Sequence, residues 1–178
     1  MLRVIVGAGH TSRAGWISLE ESELDITRAA AWLRWFAPCS IDAIVAEHVL
    51  EHLTPAESFS AAQNFYAFLN PYGHARIAVP DGLHPDLKYQ AWVAPCTGFN
   101  GCDHKQLFDV YSLTELLNYV GLYVHPLEWH DETGFHAVPL NQDDGPIKRN
   151  STGLYHALLS AWVGVNYTSL IVDAQKCQ

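Results

Sequence analysis

The chain has 178 residues, 49% of them hydrophobic and 16% charged, which allows a folded domain with a real core and excludes a disordered one. Ten Lys plus Arg stand against 19 Asp plus Glu, and the resulting net charge of −9 repels phosphate backbones; no basic stripe marks a nucleic-acid surface. No apolar run approaches the ~20 residues of a membrane span. Met1-Leu2-Arg3-Val4-Ile5-Val6 enters a strand directly and lacks a signal peptide's layout, so a cytoplasmic chain forming one domain over residues 1–178 is expected.

Arg3 to Val6 reads as a first strand, broken by Gly7-Ala8-Gly9-His10. A strand ending in Gly-x-Gly lets a ligand approach the backbone closely, although the third glycine of the nicotinamide fingerprint is absent. Gly15 to Glu20 reads as a second strand with an acid at its end. A carboxylate there accepts hydrogen bonds from both ribose hydroxyls of a nucleoside, or else is one of several solvated loop acids beside Glu21 and Glu23. Gly9 to Gly15 leaves no room for a crossover helix, so the first such helix is expected to be reduced or absent. Leu24 to Thr27 is an edge strand or a turn. Arg28 to Phe36 reads as a helix with Thr27 as its N-cap and Pro38 as its stop.

Ile41 to Ala46 is a short, nearly continuous apolar run, the pattern of a strand buried on both faces. Glu47, His48, Glu51 and His52 follow it at once, and ligands of open α/β sheets bind outside the carboxyl ends of strands. The same residues, His48-Val49-Leu50-Glu51-His52, spell H-x-x-E-H. On a helix, His48 and His52 share a face and reach one zinc while Glu51 activates water, with Glu115 or Glu128 as a third ligand. A third reading is structural only, with His52 packed and Glu51 capping. The four cysteines, Cys39, Cys96, Cys102 and Cys177, contain no C-x-x-C pair and are expected as reduced thiols. A disulfide or metal role for Cys96 and Cys102, near His104, stays open.

Thr54-Pro55-Ala56-Glu57 is a capping box opening a helix to about Leu69, with Phe59, Ala62, Phe65, Tyr66 and Leu69 facing the core. Asn70 to Gly73 is a turn and His74 to Val79 a strand, which leaves Asp81 at its carboxyl end. Residues 83–105 and 130–153 read as irregular lid or substrate loops. Ser112-Leu113-Thr114-Glu115 reads as a second capping box, its helix ending at Gly121. Leu122 to Trp129 is a strand, Leu154 to Val163 a helix with Tyr155, Leu158, Leu159 and Trp162 on one side, and Tyr167 to Ala174 a last strand. Such alternation specifies an α/β fold: a Rossmann-like, doubly wound, mostly parallel sheet with helices on both faces and an antiparallel edge.

These residues in this order resemble the class I S-adenosylmethionine-dependent methyltransferases, in particular a short, methyltransferase type 11-like group. Val6-Gly7-Ala8-Gly9 resembles the glycine motif, and Gly15 to Glu20 the strand that ends in an acid. Asp25-Ile26 resembles the pair that meets the adenine, and Ile41 to Leu53 the central strand and its sequel. Leu69 to Gly73, His104-Lys105, Phe135-His136 and Thr168 to Val172 are similar as well. The likeness spans nearly the whole chain. It departs at Ile5, where an acid is usual, and in the missing first helix.

The resemblance implies S-adenosyl-L-methionine as cofactor. Gly7, Ala8 and Gly9 would meet its methionine end, Glu20 the ribose, Asp25 and Ile26 the adenine, and Glu47 and His48 the sulfonium. It implies a small-molecule acceptor, with sugar-derived acceptors a candidate class, and no metal at H-x-x-E-H. For a hydroxyl acceptor a general base is needed, and His48 is the expected one, with Asp81 and His104 next. The alternatives are a non-catalytic methyltransferase-like binding protein and the zinc hydrolase. The expected partners are the acceptor and, left open, a second copy of the chain, with neither nucleic acid nor membrane.

Overall fold

The computed structural model describes residues 1–9, 11–95, 103–152, 154–164 and 166–177. Strand β3 (Ile41–Glu47) is the centre of the molecule, and Ile41, Ile44, Val45 and Ala46 have no exposed surface. The other strands are β1 (Arg3–Val6), β2 (Ile17–Leu19), β4 (Leu69–Pro80), β5 (Leu122–Asp131), β6 (Gly134–Ala137) and β7 (Ser169–Lys176). They form one sheet in the order β2-β1-β3-β4-β7-β5-β6. Strands β2, β1, β3 and β4 pair in parallel, whereas β7 is antiparallel to both β4 and β5. Thus β1 to β5 all run one way. The reversed strands are β7, set inside the sheet, and β6, paired with β5 at the edge.

One face is covered by α1 (Ala29–Trp32), α2 (Pro55–Phe68) and α4 (Val110–Tyr119). Trp32 is fully buried there, stacked on Phe68 at 5.2 Å and edge-on to Phe65 at 5.9 Å. The opposite face carries a smaller cluster of Ile5, Ala43, Val45, Ala78 and Ile171, closed by Trp16, Leu140 and Ile147 rather than by a helix. Buried Arg76 on β4 holds that cover in place. Its guanidinium pairs with both oxygens of Asp173 at 2.7 Å and donates to the carbonyls of Asn141 and Gly145. Between β1 and β2 no helix occurs among the described residues, as the spacing predicts. No helix of the described residues is long and apolar enough to cross a membrane.

The capping box at Thr54 and Glu57 forms as predicted, with Pro55 at the first helical position. The buried face of α2 is Ser58, Ala61, Ala62, Asn64, Phe65 and Phe68, so Phe59 and Tyr66 are not core residues; Phe59 packs instead against Tyr119. The helix expected over 28–36 shortens to α1 followed by turns, and its N-cap is Arg28 rather than Thr27, whose amide and hydroxyl both donate to Asp25 Oδ1. The turn Asn70 to Gly73 is an excursion within β4, between the pairs Leu69–Ile41 and His74–Ala43. Helix α4 begins three residues earlier than expected, with Asp109 as N-cap and Ser112 as the reciprocal partner.

Neither predicted loop is wholly irregular. Residues 83–105 contain α3 (Leu87–Val93), capped by Asp86, and residues 130–153 contain β6. Helix α5 (Leu154–Val163) forms where expected. Leu158 and Trp162 on it are exposed, while the side chains of Tyr155 and Leu159, together with His10, Cys96 and Cys102, lie outside the described residues. Cys39 and Cys177 are free and exposed.

Candidate functional site

The carboxyl ends of β1, β2 and β3 open onto a cleft of about 500 Å³ lined by Gly7, Gly9, Glu20, Asp25, Ile26 and His48. Gly7 (φ +57°) and Gly9 (φ +55°) are both left-handed, a region that costs other residues roughly 1–2 kcal/mol. A Cβ on Gly7 would meet Val49 Cγ2 at 2.7 Å, whereas one on Gly9 would meet nothing within 4 Å. The loop is tied to β2 by Ala8 N donating to Leu19 O and Gly9 N donating to Glu20 Oε2 at 3.2 Å. Glu20 Oε1 has no partner among the described residues and is available to a ligand hydroxyl. Asp25 spends Oδ1 on Thr27. The carbonyl of Ile26 accepts from both Trp32 Nε1 and Asn64 Nδ2, so the core fixes this turn against the cleft.

Ala8 and Glu47 line a neighbouring cavity of about 400 Å³, which shares Gly7, Gly9 and His48 with the cleft. Glu47 Oε1 is not free, since it accepts from the backbone amides of Lys148 and Arg149 at 3.0 and 2.7 Å. The side of Glu47 toward the glycine loop is therefore walled by Lys148 and Arg149. Nothing in the sequence pointed to these two residues. They arrive through the stretch that Arg76 pins to the second face.

His48 follows β3 at φ +55°, a left-handed position rare for a residue with a side chain and a common mark of functional sites. Its Nε2 lies 3.0 Å from Ser169 Oγ and its Nδ1 2.8 Å from Glu51 Oε1. The ring stacks on Tyr167 with centroids 6.1 Å apart. Ser169, His48 and Glu51 thus repeat the order of a hydrolase triad. Ser169 is fully buried, however, so no substrate reaches it, and the array serves to orient the imidazole. Burial of Glu51 pushes its carboxyl up, but the charge and hydrogen bond of His48 outweigh that and leave it below the usual carboxylate range.

Two of the expected catalytic residues have other tasks. Asp81 is fully buried; its Oδ2 accepts from both the backbone amide and Nδ1 of His130 at 2.8 Å, and Oδ1 from Leu83 N. It ties the end of β4 to β5 and does not line the cleft. His104 is buried, with Nδ1 donating to Val93 O and Nε2 4.0 Å from Glu51 Oε1. The segment carrying it is held by Lys105 N on Glu51 O and by Gln106, whose amide donates to Leu50 O, Leu53 O and Ser58 Oγ.

H-x-x-E-H does not form the predicted helical face. Leu50–His52 is a single 3-10 turn, and His48 precedes it. His48 turns toward Ser169, while His52 turns toward Asp103 and His104. The proposed third ligands are elsewhere: Glu115 lines a surface hollow beside Phe59, and Glu128 accepts from Ser151.

No family model matches the sequence, and no curated protein matches it. Solved structures do. A chain from the Haloferax volcanii complex of the Trm112 methyltransferase activator matches 99% of this chain and 82% of its own length, at 13% identity and a TM-score of 0.59. A S-adenosylmethionine-dependent methyltransferase of Archaeoglobus fulgidus matches 97% of this chain and 75% of its own, at 14% identity and a TM-score of 0.55. Another, from Thermotoga maritima, matches 98% and 72%, at 11% identity and a TM-score of 0.53. With its sheet order, its inserted antiparallel strand and these neighbours, the chain has the class I fold of S-adenosylmethionine-dependent methyltransferases.

Proposed function

We propose that this chain is an S-adenosylmethionine-dependent methyltransferase acting on a small molecule, with sugar-derived acceptors the class its sequence resemblance implies. One observation carries the reading. Of the eight residues that the resemblance assigns to the cofactor, six, from three separate segments, line one cleft at the carboxyl ends of β1 to β3, and the other two, Ala8 and Glu47, line the adjoining cavity. The groups present suit that cofactor. Open space stands over Gly9, Glu20 Oε1 is unpartnered for a ribose hydroxyl, and Asp25 and Ile26 flank the far end for a base. Lys148 and Arg149 at the glycine end supply positive charge for a carboxylate, the task a first-helix N-terminus would otherwise share.

The cofactor supplies an electrophilic methyl group on a cationic sulfur. The protein's share is to align the acceptor, exclude water and receive a proton. For a hydroxyl acceptor, His48, which lines the cleft, would be the group that receives the hydroxyl proton when the methyl group is transferred. Ser169, Glu51 and Tyr167 hold the His48 ring in place for that task.

Ultraviolet cross-linking of methyl-labelled S-adenosylmethionine to the purified chain, followed by peptide mapping, tests the assignment. Label in the peptides carrying Gly7 to Thr27 or Glu47 to Leu53 supports it. Label confined to other peptides, or none while a known methyltransferase is labelled alongside, refutes it.

A further inference from the structure

Among the described residues Glu51, His52 and His104 form one group whose ligand atoms all lie within 4.8 Å of one another, at the edge of the cleft. We propose that these three side chains bind a divalent first-row transition-metal ion. This is a different set from H-x-x-E-H read as a helix, because both nitrogens of His48 are engaged, by Glu51 and Ser169, and the third ligand is His104 from a distant segment.

Three features show a built site. The first is the orientation of the histidines. A metal-ligating histidine usually has its other ring nitrogen held by a carboxylate or carbonyl. His52 Nδ1 is 2.5 Å from Asp103 Oδ1, and His104 Nδ1 is 2.8 Å from Val93 O. With Nδ1 held in each ring, Nε2 is the nitrogen left for a metal, and the ring centroids lie 5.0 Å apart. The second is Glu51. It is fully buried, the imidazoles of His48 and His104 approach its Oε1, and Oε2 has no hydrogen-bond partner. A buried carboxylate oxygen without a partner is costly unless something cationic meets it. The third is rigidity: Lys105 N and Gln106 N both donate to the carbonyl of Glu51 itself, which locks His104 beside it.

Two imidazoles and a carboxylate suit zinc, cobalt, manganese or iron and leave coordination positions open. Ligand atoms bound at about 2.1 Å stand roughly 3.0–3.5 Å apart, so the side chains close by about 1 Å on binding. Of the three ligands His52 lines the cleft, beside Asp103 and Lys105, so a molecule in the cleft would reach the metal from that side. An oxygen of a bound molecule is the ligand the open positions would take. The inference rests on this geometry alone and does not depend on methyl transfer.

The test is calorimetric titration of chelator-stripped full chain with Co²⁺, with visible absorption recorded in parallel. About one ion per chain, with the spectrum of a nitrogen-ligated Co²⁺ site, is expected. His52→Ala, at a half-exposed residue, should abolish the saturable site, as should His104→Ala. Asp103→Asn should weaken it roughly 10- to 100-fold. His125→Ala, at an exposed histidine on β5, should leave it unchanged. Circular dichroism of each variant checks folding, and His52→Ala decides the matter if His104→Ala unfolds. No saturable binding, or the same affinity in His52→Ala as in the native chain, overturns the proposal.

Discussion

Gly7 and Gly9 have the same backbone conformation, but the structure makes their substitutions unequal. Alanine at either position incurs the left-handed penalty, roughly 1–2 kcal/mol. At Gly9 nothing else is met, so Gly9→Ala should cost about that much. At Gly7 the new methyl lies 2.7 Å from Val49 Cγ2, which must retreat by about 0.7 Å to reach the 3.4 Å at which ordinary contact begins (3.4 − 2.7). Val49 is packed against the main core, so that shift carries an overpacking cost of about 1–3 kcal/mol. Gly7→Ala is therefore expected to destabilise by roughly 2–5 kcal/mol in total. Urea unfolding of both variants measures the difference. Removing the obstruction should give it back: Gly7→Ala with Val49→Ala should be more stable than the two single effects added, by about 1–3 kcal/mol. Equal destabilisation at Gly7 and Gly9, or strict additivity of the pair, would refute the reasoning.

Asp81→Ala removes the acceptor of two His130 donors from a fully buried position, and should destabilise by about 3–5 kcal/mol in urea unfolding; a loss near zero would show that the pair is dispensable. Glu128 has a raised pKa, with burial outweighing its hydrogen bonds from Ser151. A raised folded-state pKa gives stability that is complete below the unfolded value near 4.5 and lost as pH rises through the folded one. Glu128→Gln should consequently gain melting temperature relative to the native chain between about pH 4 and pH 7, and a gap independent of pH would contradict this.

Much of the frame was legible because its signals are local. Ile41 to Ala46 is apolar without alternation, and it is the central strand. Thr54, Pro55 and Glu57 mark a helix start by residue type alone, and each occupies its predicted position. Gly7, Gly9 and Glu20 were readable because strand ends carry ligands, and Asp25 and Ile26 only through the family resemblance; all five line the cleft. Helix α3 was also readable, through Asp86 as a cap and Tyr89 and Val93 one turn apart and buried, but Pro85 and Pro95 disguised it as loop.

What could not be read depends on contacts between distant segments. The cover of the second face is set by Arg76 reaching Asn141 and Gly145, and through it by Glu47 capturing the amides of Lys148 and Arg149. The pattern H-x-x-E-H gave a helical face on paper, yet β3 runs on to Glu47 and His48 takes a left-handed turn that parts it from His52. Periodicity carries no information about such a break. The pairing of His104 with Glu51 depends on Gln106, whose three side-chain acceptors lie about fifty residues upstream.

The central claim is that the cleft at Gly7 to Gly9 holds the cofactor, and calorimetric titration with S-adenosylhomocysteine tests it most directly. Asparagine tolerates the left-handed conformation better than other non-glycine residues, so Gly9→Asn fills the open space over Gly9 at little cost to folding. The account predicts micromolar binding to the native chain and its loss in Gly9→Asn while that variant stays folded at the assay temperature. No binding to the native chain at millimolar concentration, or equal affinity in the two proteins, would contradict it.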